Sequence, residues 1–518
     1  MLVLGMKHGH DGAIAAIDDD KLLFSVEAEK DSFERHMVMT PSSFIAALEL
    51  LGDVPDVVAL GGWPKDRLLG STHIGTHYQG LDWLSRSTKM QGKQVTMFNS
   101  SHERGHIPAS LAMAPERAPL TAVLCWEGSL GRFYLVDERW NVTKSIQVMG
   151  APGGRYAYIF ALADQMFPKR QALPRTEDAG KLMALAAFAE PGSVDPAVAA
   201  TVDEVLALPR LYSVPKKDFE GSPLYDAGVE SEAAKSAAAY VSARIFETFA
   251  DVAREQMPRD IPLVISGGCG LNCDWNFKWR EMGHFSSVFV PPNTDDSGSA
   301  LGTAIDARLA LTGEPYTLDW DVYSGLEFEH DSEPDPALWE RRVRDDRAIA
   351  AALGEGRVVG WVQGRWEIGP RALGNRSLLA DASDPAMKDK LNGIKQREGY
   401  RPIAPCCRLE DAGIVFNEDF EDPYMLYFRT VRPGAIPAVT HVDGSARAQT
   451  VTHARNAALY DLLTAVAERT GAGVLCNTSL NFKGRGFINR MADLVRYCED
   501  RRVDDFVVGD QWFTRKPA

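Results

Sequence analysis

Two apolar runs, each broken by a glycine turn, limit what the first half of this chain can become. LVLGMKHGHDGAIAAI (2–17) and TAVLCWEGSLGRFYLVD (121–137) both read as strand, tight turn, strand. KLLFSV (21–26) adds a third strand to the first run, giving a meander with His10 and Asp11 at its tip. Recurrence of the hairpin predicts a duplicated α/β fold. Further strands are predicted at 57–63, 263–268 and 287–291. Helices are predicted at 41–52 (Pro41 in the first turn), 155–167, 178–190, 197–207, 231–257, 272–282 and 299–312. The polar stretch 64–97 reads as an irregular excursion. Substrate contacts are expected there and in the insert 208–231. The segment 313–345 is acidic, turn-rich and poor in apolar periodicity, so it marks a boundary. Beyond it lie strands at 357–363, 473–476 and 505–508 and a helix at 452–471. Two units follow, 1–330 and 345–518.

The densest cationic stretch is Gly364–Arg408, with Arg365, Arg371, Arg376, Lys395, Arg397 and Arg401 set among glycine turns. The guanidinium fork donates to two oxygens at once, and turns bring backbone N–H groups to the same ligand. Trp366, Ile368, Leu373, Leu378 and Leu379 in this stretch require packing, and packed arginines need anionic or carbonyl partners. The whole chain is acidic, with net charge −15 and pI 5.3. That argues against broad nucleic-acid or anionic-membrane binding but permits a local pocket for a small anion. The opening residues reach a charged turn too soon for a signal peptide, and no apolar run reaches membrane-spanning length. Seven scattered cysteines form neither a zinc-ribbon nor a disulfide spacing. A reduced, cytoplasmic protein is expected.

In SHERGHIPAS, His102 and His106 stand four apart, so one helix face would present both imidazoles to one metal. Pro108 argues against a long helix there. Glu127 and either Asp295 or Asp296 are candidate carboxylate ligands. Two imidazoles with carboxylates suit Fe(II), Mn(II) or Zn(II). GHDG (9–12), EGSLG (127–131, with Gly128) and ISGGCGLN (265–272, with Gly267, Gly268 and Asn272) are glycine turns after strands. None fits a Rossmann or P-loop pattern. Together with DAGKLM (178–183, with Lys181) they suit a nucleotide cleft between duplicated lobes. NTSLNFKGRG (477–486) offers Asn477, Thr478, Ser479 and Asn481 as donors in a turn. Cys269, Cys273, Cys406 and Cys407 read as packed residues.

With these pieces in order, the chain resembles the O-carbamoyltransferases of antibiotic and nodulation-factor biosynthesis. GRWEIGPRALGNRSLLAD with MKDKLNGIKQREGYRPIAP is the most specific block. GHDGAIAAI, HERGH, GKLMAL, SGGCGLN, DDSGSALGTA and CNTSLNFKGRGF supply the rest. KHGHDGAIAAI and EKDSFERHMVMTP look closest to the branch that carbamoylates the 3-hydroxymethyl group of a cephem, as in cephamycin-type pathways. The resemblance implies an actin/hexokinase-type N-terminal domain that transfers the carbamoyl group. It also implies a C-terminal domain like that of threonylcarbamoyl-adenylate synthases. That domain would make carbamoyl-adenylate from carbamoyl phosphate and ATP, with Mg accompanying the ATP. Carried over residue by residue, Arg371, Arg376, Lys395, Arg401, Asn477, Thr478, Ser479 and Asn481 form the adenylate site. His102, His106 and Asp296 hold a divalent metal, Fe(II) before Mn(II) or Zn(II). Glu127 departs from the family's usual Asp, and Arg35 stands where many members have Lys. His10 is the candidate general base for the acceptor hydroxyl, with Asp11 orienting it. A hydroxylated small molecule is the expected acceptor, with no nucleic acid or membrane partner and a homodimer as a possible assembly. The competing readings are the same chemistry on an aminoglycoside or macrolide, an actin-like sugar kinase, which leaves 345–518 without a task, and a non-catalytic nucleotide sensor.

Overall fold

The first meander forms where the apolar runs put it. A computed structural model of the chain describes residues 1–32, 34–62, 76 and 78–517. β1 (Leu2–Lys7), β2 (Ala13–Asp18) and β3 (Lys21–Glu27) run antiparallel, and β4 (Val57–Gly61) joins β1 in parallel. β5 (Trp83–Met90) and β6 (Lys93–Ser100) complete a sheet of order β3-β2-β1-β4-β6-β5. Leu4, Ile14, Ala16, Phe24 and Val58 on its strands build one buried cluster.

The excursion expected over 64–97 is corrected where it is described. Residues 63–75 and 77 lie outside the described residues, but 83–100 is a β-hairpin turning at Gln91 and Gly92, both with positive φ (49° and 86°). β5 is an edge strand exposed along most of its length, so it carries no apolar alternation for a sequence reading to detect.

The second hairpin repeats the first. β7 (Leu120–Trp126), β8 (Gly131–Asp137) and β9 (Val142–Gln147) are antiparallel, and β10 (Leu263–Ser266) and β11 (Val288–Phe289) add in parallel. The order β11-β10-β7-β8-β9 matches β6-β4-β1-β2-β3 strand for strand. This is the duplication expected of the N-terminal α/β portion. The helices Pro152–Ala163, Asp178–Ala186, Pro196–Ala207 and Glu232–Gln256 stand within a few residues of their predicted ranges, and Ser299–Thr312 matches.

The C-terminal portion is a mixed sheet of order β12-β21-β20-β13-β14-β19-β15-β18. Its strands are β12 (Trp339–Val343), β13 (Val359–Val362), β14 (Arg376–Asp381) and β15 (Ala404–Arg408), then β18 (Gln449–Val451), β19 (Val474–Ser479), β20 (Asp505–Val508) and β21 (Gln511–Arg515). A short ribbon of β16 (Arg429–Thr430) and β17 (Ser445–Ala446) stands apart. Alternation along β14 sends Leu378 and Ala380 into one core and Leu379 into the other, so the sheet is buried on both faces. Asp346–Gly354 and Ala457–Thr470 cover one face; Ala386–Lys395 and Met491–Arg501 cover the other. The turn expected from 477 is corrected too: Asn477, Thr478 and Ser479 continue β19, hydrogen-bonded to β14.

By internal contacts the chain divides into two compact units. One comprises 1–115, 291–440 and 444–518; the other comprises 116–290 and 441–443. Among the described residues no helix is long and apolar enough to cross a membrane. All seven cysteines are free and buried.

Candidate functional site

The helix His102–Met113 forms despite Pro108, correcting the expectation that the proline would prevent it. Ser101 caps it, its hydroxyl accepting from the Arg104 N–H at 3.1 Å. Every residue of the helix except Arg104 is buried, so packing outweighs the backbone hydrogen bond that Pro108 forgoes. The helix lies against Ser299–Thr312. A Cβ on Gly302 would come 2.3 Å from the Gly105 carbonyl oxygen, so the approach requires glycine. Arg104 Nε, 3.0 and 2.9 Å from the two carboxylate oxygens of buried Asp306, ties the helices together.

This packing sets both imidazoles beside the turn that starts the second helix. His102 Nε2 and His106 Nε2 are 3.0 Å apart. Asp296 Oδ1 lies 3.3 Å from the first and 3.7 Å from the second. Of the two aspartates left open by the sequence, Asp296 is the one at the imidazoles. Asp295 Oδ1 instead accepts from the Ser297 N–H and hydroxyl, at 3.3 and 2.5 Å. Tyr78 stacks on His102 with centroids 4.1 Å apart. The other oxygen of Asp296 faces Lys7 Nζ at 3.1 Å and His10 Nε2 at 3.0 Å. Lys7 also donates to the His10 carbonyl at 2.6 Å, bracing the hairpin tip. Burial opposes ionisation of Asp296. The charges of His102 and Lys7 and the hydrogen bonds from His10 and His102 outweigh it, holding this carboxyl well below the usual range. His10 is shifted up, first by its hydrogen bond to Asp296. Two imidazole nitrogens and a carboxylate oxygen within 4.8 Å of one another form a donor set that fits a divalent transition metal.

The cationic stretch builds a second constellation in the same unit. Lys395, at the end of its helix and buried, donates to the Ser479 hydroxyl at 3.2 Å and the Asn481 carbonyl at 3.3 Å. It also donates to the Ser479 carbonyl and to Asn481 Oδ1. Arg397 donates to Asn392 Oδ1 at 2.5 Å and to the Pro402 carbonyl at 3.1 Å. Arg401 pairs loosely with Glu398 at 3.7 Å and is partly exposed. Burial, then the charges of Arg397, Arg401, Arg35 and Arg501, hold Lys395 well below the usual lysine range. Burial, with Arg401 and Arg447 adding, brings Arg397 down to about 9. Burial and neighbouring positive charge therefore act together on these cations. Arg371 sits in the loop between β13 and β14.

Arg376 is placed differently from its neighbours in sequence. It is fully buried, and its guanidinium donates to the carbonyls of Gln363 (2.7 Å), Asn375 (2.9 Å) and Gly364 (3.0 Å) and to Asn489 Oδ1 (3.0 Å). Asn477 Nδ2 is bound to the Gln449 side chain at 3.1 Å and the Ala372 carbonyl at 3.2 Å.

The remaining candidates lie in the other unit. Glu127, buried at the end of β7, accepts from the Ser129 hydroxyl at 2.7 Å. The Gly128 carbonyl accepts from the Tyr212 hydroxyl at 2.7 Å. Gly267 has φ 99°, and a Cβ there would strike the Trp126 carbonyl oxygen at 2.5 Å. Gly268 opens a short 3-10 turn. Asn272 caps Cys273–Glu281, accepting from the Asp274 and Trp275 N–H groups. Lys181 Nζ pairs with buried Asp178 at 2.8 Å. Burial pushes the Cys269 thiol far up, as expected of a packed residue. Lys7 and His36, both beside the hairpin tip, were not identified from the sequence. Lys7 opens KHGHDGAIAAI and His36 lies inside EKDSFERHMVMTP, but no spacing within either stretch singles out the residue itself.

Two family descriptions match: Carbamoyltransferase N-terminus over residues 78–305 and Carbamoyltransferase C-terminus over 350–515. The chain belongs to the carbamoyltransferase family and is an enzyme of the transferase type. It is 57% identical over 518 aligned residues, 99% of each chain, to a 3'-hydroxymethylcephem-O-carbamoyltransferase of Streptomyces clavuligerus. It is 55% identical, again over 99% of each chain, to the protein of the same name from Amycolatopsis lactamdurans. Nodulation protein U of Rhizobium tropici is 34% identical over 100% of this chain and 96% of its own. Among solved structures, the activator of the 2-hydroxyisocaproyl-CoA dehydratase from Clostridium difficile aligns with 62% of this chain and all of its own, at 12% identity and a TM-score of 0.35.

Proposed function

We propose that this enzyme moves the carbamoyl group of carbamoyl phosphate, through an ATP-dependent carbamoyl-adenylate, onto the 3-hydroxymethyl group of a cephem. Full-length identity of 57% to a protein named for that acceptor carries the substrate assignment. The nodulation relative, at 34%, keeps another alcohol as the second reading.

In this reading residues 345–518 activate the donor and 1–330 transfer it. Carbamoyl phosphate and ATP are anions: water releases carbamate and phosphate from the first, the carbamate oxygen attacks the α-phosphorus of ATP and pyrophosphate leaves, so negative oxygens gather at the reacting phosphorus. Arg371, Lys395 and Arg401 are the fixed donors that would lower that barrier. Asn477, Thr478, Ser479 and Asn481 frame the nucleotide, with Mg on its phosphates, and Arg376 serves that site by bracing the loop carbonyls of Gln363 and Gly364. Gly128, Lys181, Gly267, Gly268 and Asn272 are proposed as nucleotide contacts of the transfer domain. His102, His106 and Asp296 would hold the metal, Fe(II) before Mn(II) or Zn(II), whose chemistry when bound is Lewis-acid polarisation of an acyl or phosphate oxygen. Glu127 is proposed as a further ligand on the resemblance alone. His10 turns Nε2 to Asp296, so Nδ1 is the nitrogen that takes the acceptor's hydroxyl proton as that oxygen attacks the carbamoyl carbon and AMP leaves from it.

Mass spectrometry of products from ATP, carbamoyl phosphate and a panel of alcohols tests the reading. A carbamoylated 3-hydroxymethylcephem, with AMP and not ADP as coproduct, is the expected result. ADP with a phosphorylated acceptor would mean a kinase instead.

A further inference from the structure

Asp11 is expected to orient His10, yet its short contact is with another residue. Asp11 Oδ2 is 4.0 Å from His10 Nε2, beyond hydrogen-bond range, whereas Asp11 Oδ1 is 2.7 Å from His36 Nδ1. Both residues hold left-handed backbone, φ 53° for Asp11 and 55° for His36, a region side-chain-bearing residues avoid. The hairpin tip and the segment carrying His36 are zipped together. The Gly12 N–H donates to the Met37 carbonyl at 2.8 Å, and the Asp11 N–H reaches the His36 carbonyl at 3.4 Å. A Cβ on Gly12 would fall 2.1 Å from the Met39 nitrogen. On the other side the His36 N–H donates to Glu29 Oε2 at 3.2 Å. Strained backbone persists where its surroundings over-determine it, and such places cluster at functional sites. Here three segments converge to fix one carboxylate, and the free edge of that carboxylate faces His10 beside the Asp296 cluster.

We propose that His36 is a positioning residue of the transfer reaction: through Nδ1 it holds Asp11 Oδ1 and so turns Oδ2 toward His10. This rests on the reading of the hairpin tip as the transfer site. The role belongs to one ring nitrogen, which gives it a discriminating test. An asparagine places its amide nitrogen where Nδ1 stands; a glutamine reaches instead to the Nε2 position.

Full-length His36→Ala, His36→Asn and His36→Gln are compared with wild type for carbamoylation of a 3-hydroxymethylcephem, with the single-turnover burst of pyrophosphate from ATP and carbamoyl phosphate followed separately. H36A should lower kcat for transfer by about 10- to 100-fold, as expected when a reacting group is misplaced by about an ångström. The acceptor KM should stay within about twofold, and the pyrophosphate burst should be unchanged. H36N should recover most of the lost rate and H36Q should not. Wild-type kcat in H36A, rescue by H36Q in place of H36N, or an equal fall of the pyrophosphate burst and transfer would each overturn the proposal. A wild-type protein that carbamoylates nothing in the panel would instead overturn the reading on which it rests.

Discussion

Lys395 is a lysine confined among arginines, its protons gathered by oxygens of Ser479 and Asn481. Its folded-state pKa lies well below the ordinary 10.5, through burial first and neighbouring cations second. Between the depressed value and 10.5 the unfolded chain binds a proton that the folded chain does not. Stability therefore rises with pH across that window, and the Lys395 penalty is fully present below it. A bound dianion reverses the cause of the depression. Inorganic phosphate should bind with net proton uptake, measured by calorimetry in two buffers of different ionisation enthalpy, and Lys395→Met should lose both the uptake and the stability slope. Phosphate binding without proton uptake by the wild type would mean that Lys395 does not face the anion. Arg376 shows the limit of reading single residues from sequence. It stands in the same cationic run, but its guanidinium is committed to three carbonyls and Asn489, partners that no local pattern reveals.

At the scale of elements, the geometry of the His102, His106 and Asp296 cluster is a matter of two helices touching. His102 and His106 are legible as a pair because 3.6-residue periodicity puts positions four apart on one face. Their meeting with Asp296 depends on Gly302 and the Arg104–Asp306 pair, far apart in the chain. Gly302→Ala puts a methyl 2.3 Å from backbone that cannot swing aside, so the helices must separate. We expect a loss of about 1–3 kcal/mol in denaturant unfolding, the usual cost of overpacking. Bound-metal stoichiometry, read by elemental analysis, should fall with it. Full metal loading in G302A would show that the ligand set tolerates helix displacement. The edge strand β5 is the opposite case: it has no apolar face, so it left no periodic trace although the turn that joins it to β6 is built on Gln91 and Gly92.

For the whole molecule, donor activation and transfer are predicted to be separable. Arg371→Ala or Arg401→Ala should stop carbamoyl-adenylate formation and pyrophosphate release from carbamoyl phosphate and ATP while externally supplied carbamoyl-adenylate is still used. His102→Ala, or removal of metal by a chelator, should do the reverse, with transfer falling by about 100-fold or more as an electrostatic stabiliser is lost. Rapid-quench assays of each half-reaction decide it, and parallel loss of both activities in every variant would show that one site does both.

Sequence alone determined the duplicated hairpins, the buried strands, the capped helices and the cluster of cations, because each is a local pattern of side chains repeating every two or every 3.6 residues. The same local motifs sufficed to mark the family. Tertiary structure decided which candidates meet. It put Asp296 rather than Asp295 at the imidazoles, committed Arg376 to carbonyls, and joined Asp11 to His36 across 25 residues. Those choices depend on how strands and helices pack over long separations, and a pairing of that kind leaves no periodic mark on either partner.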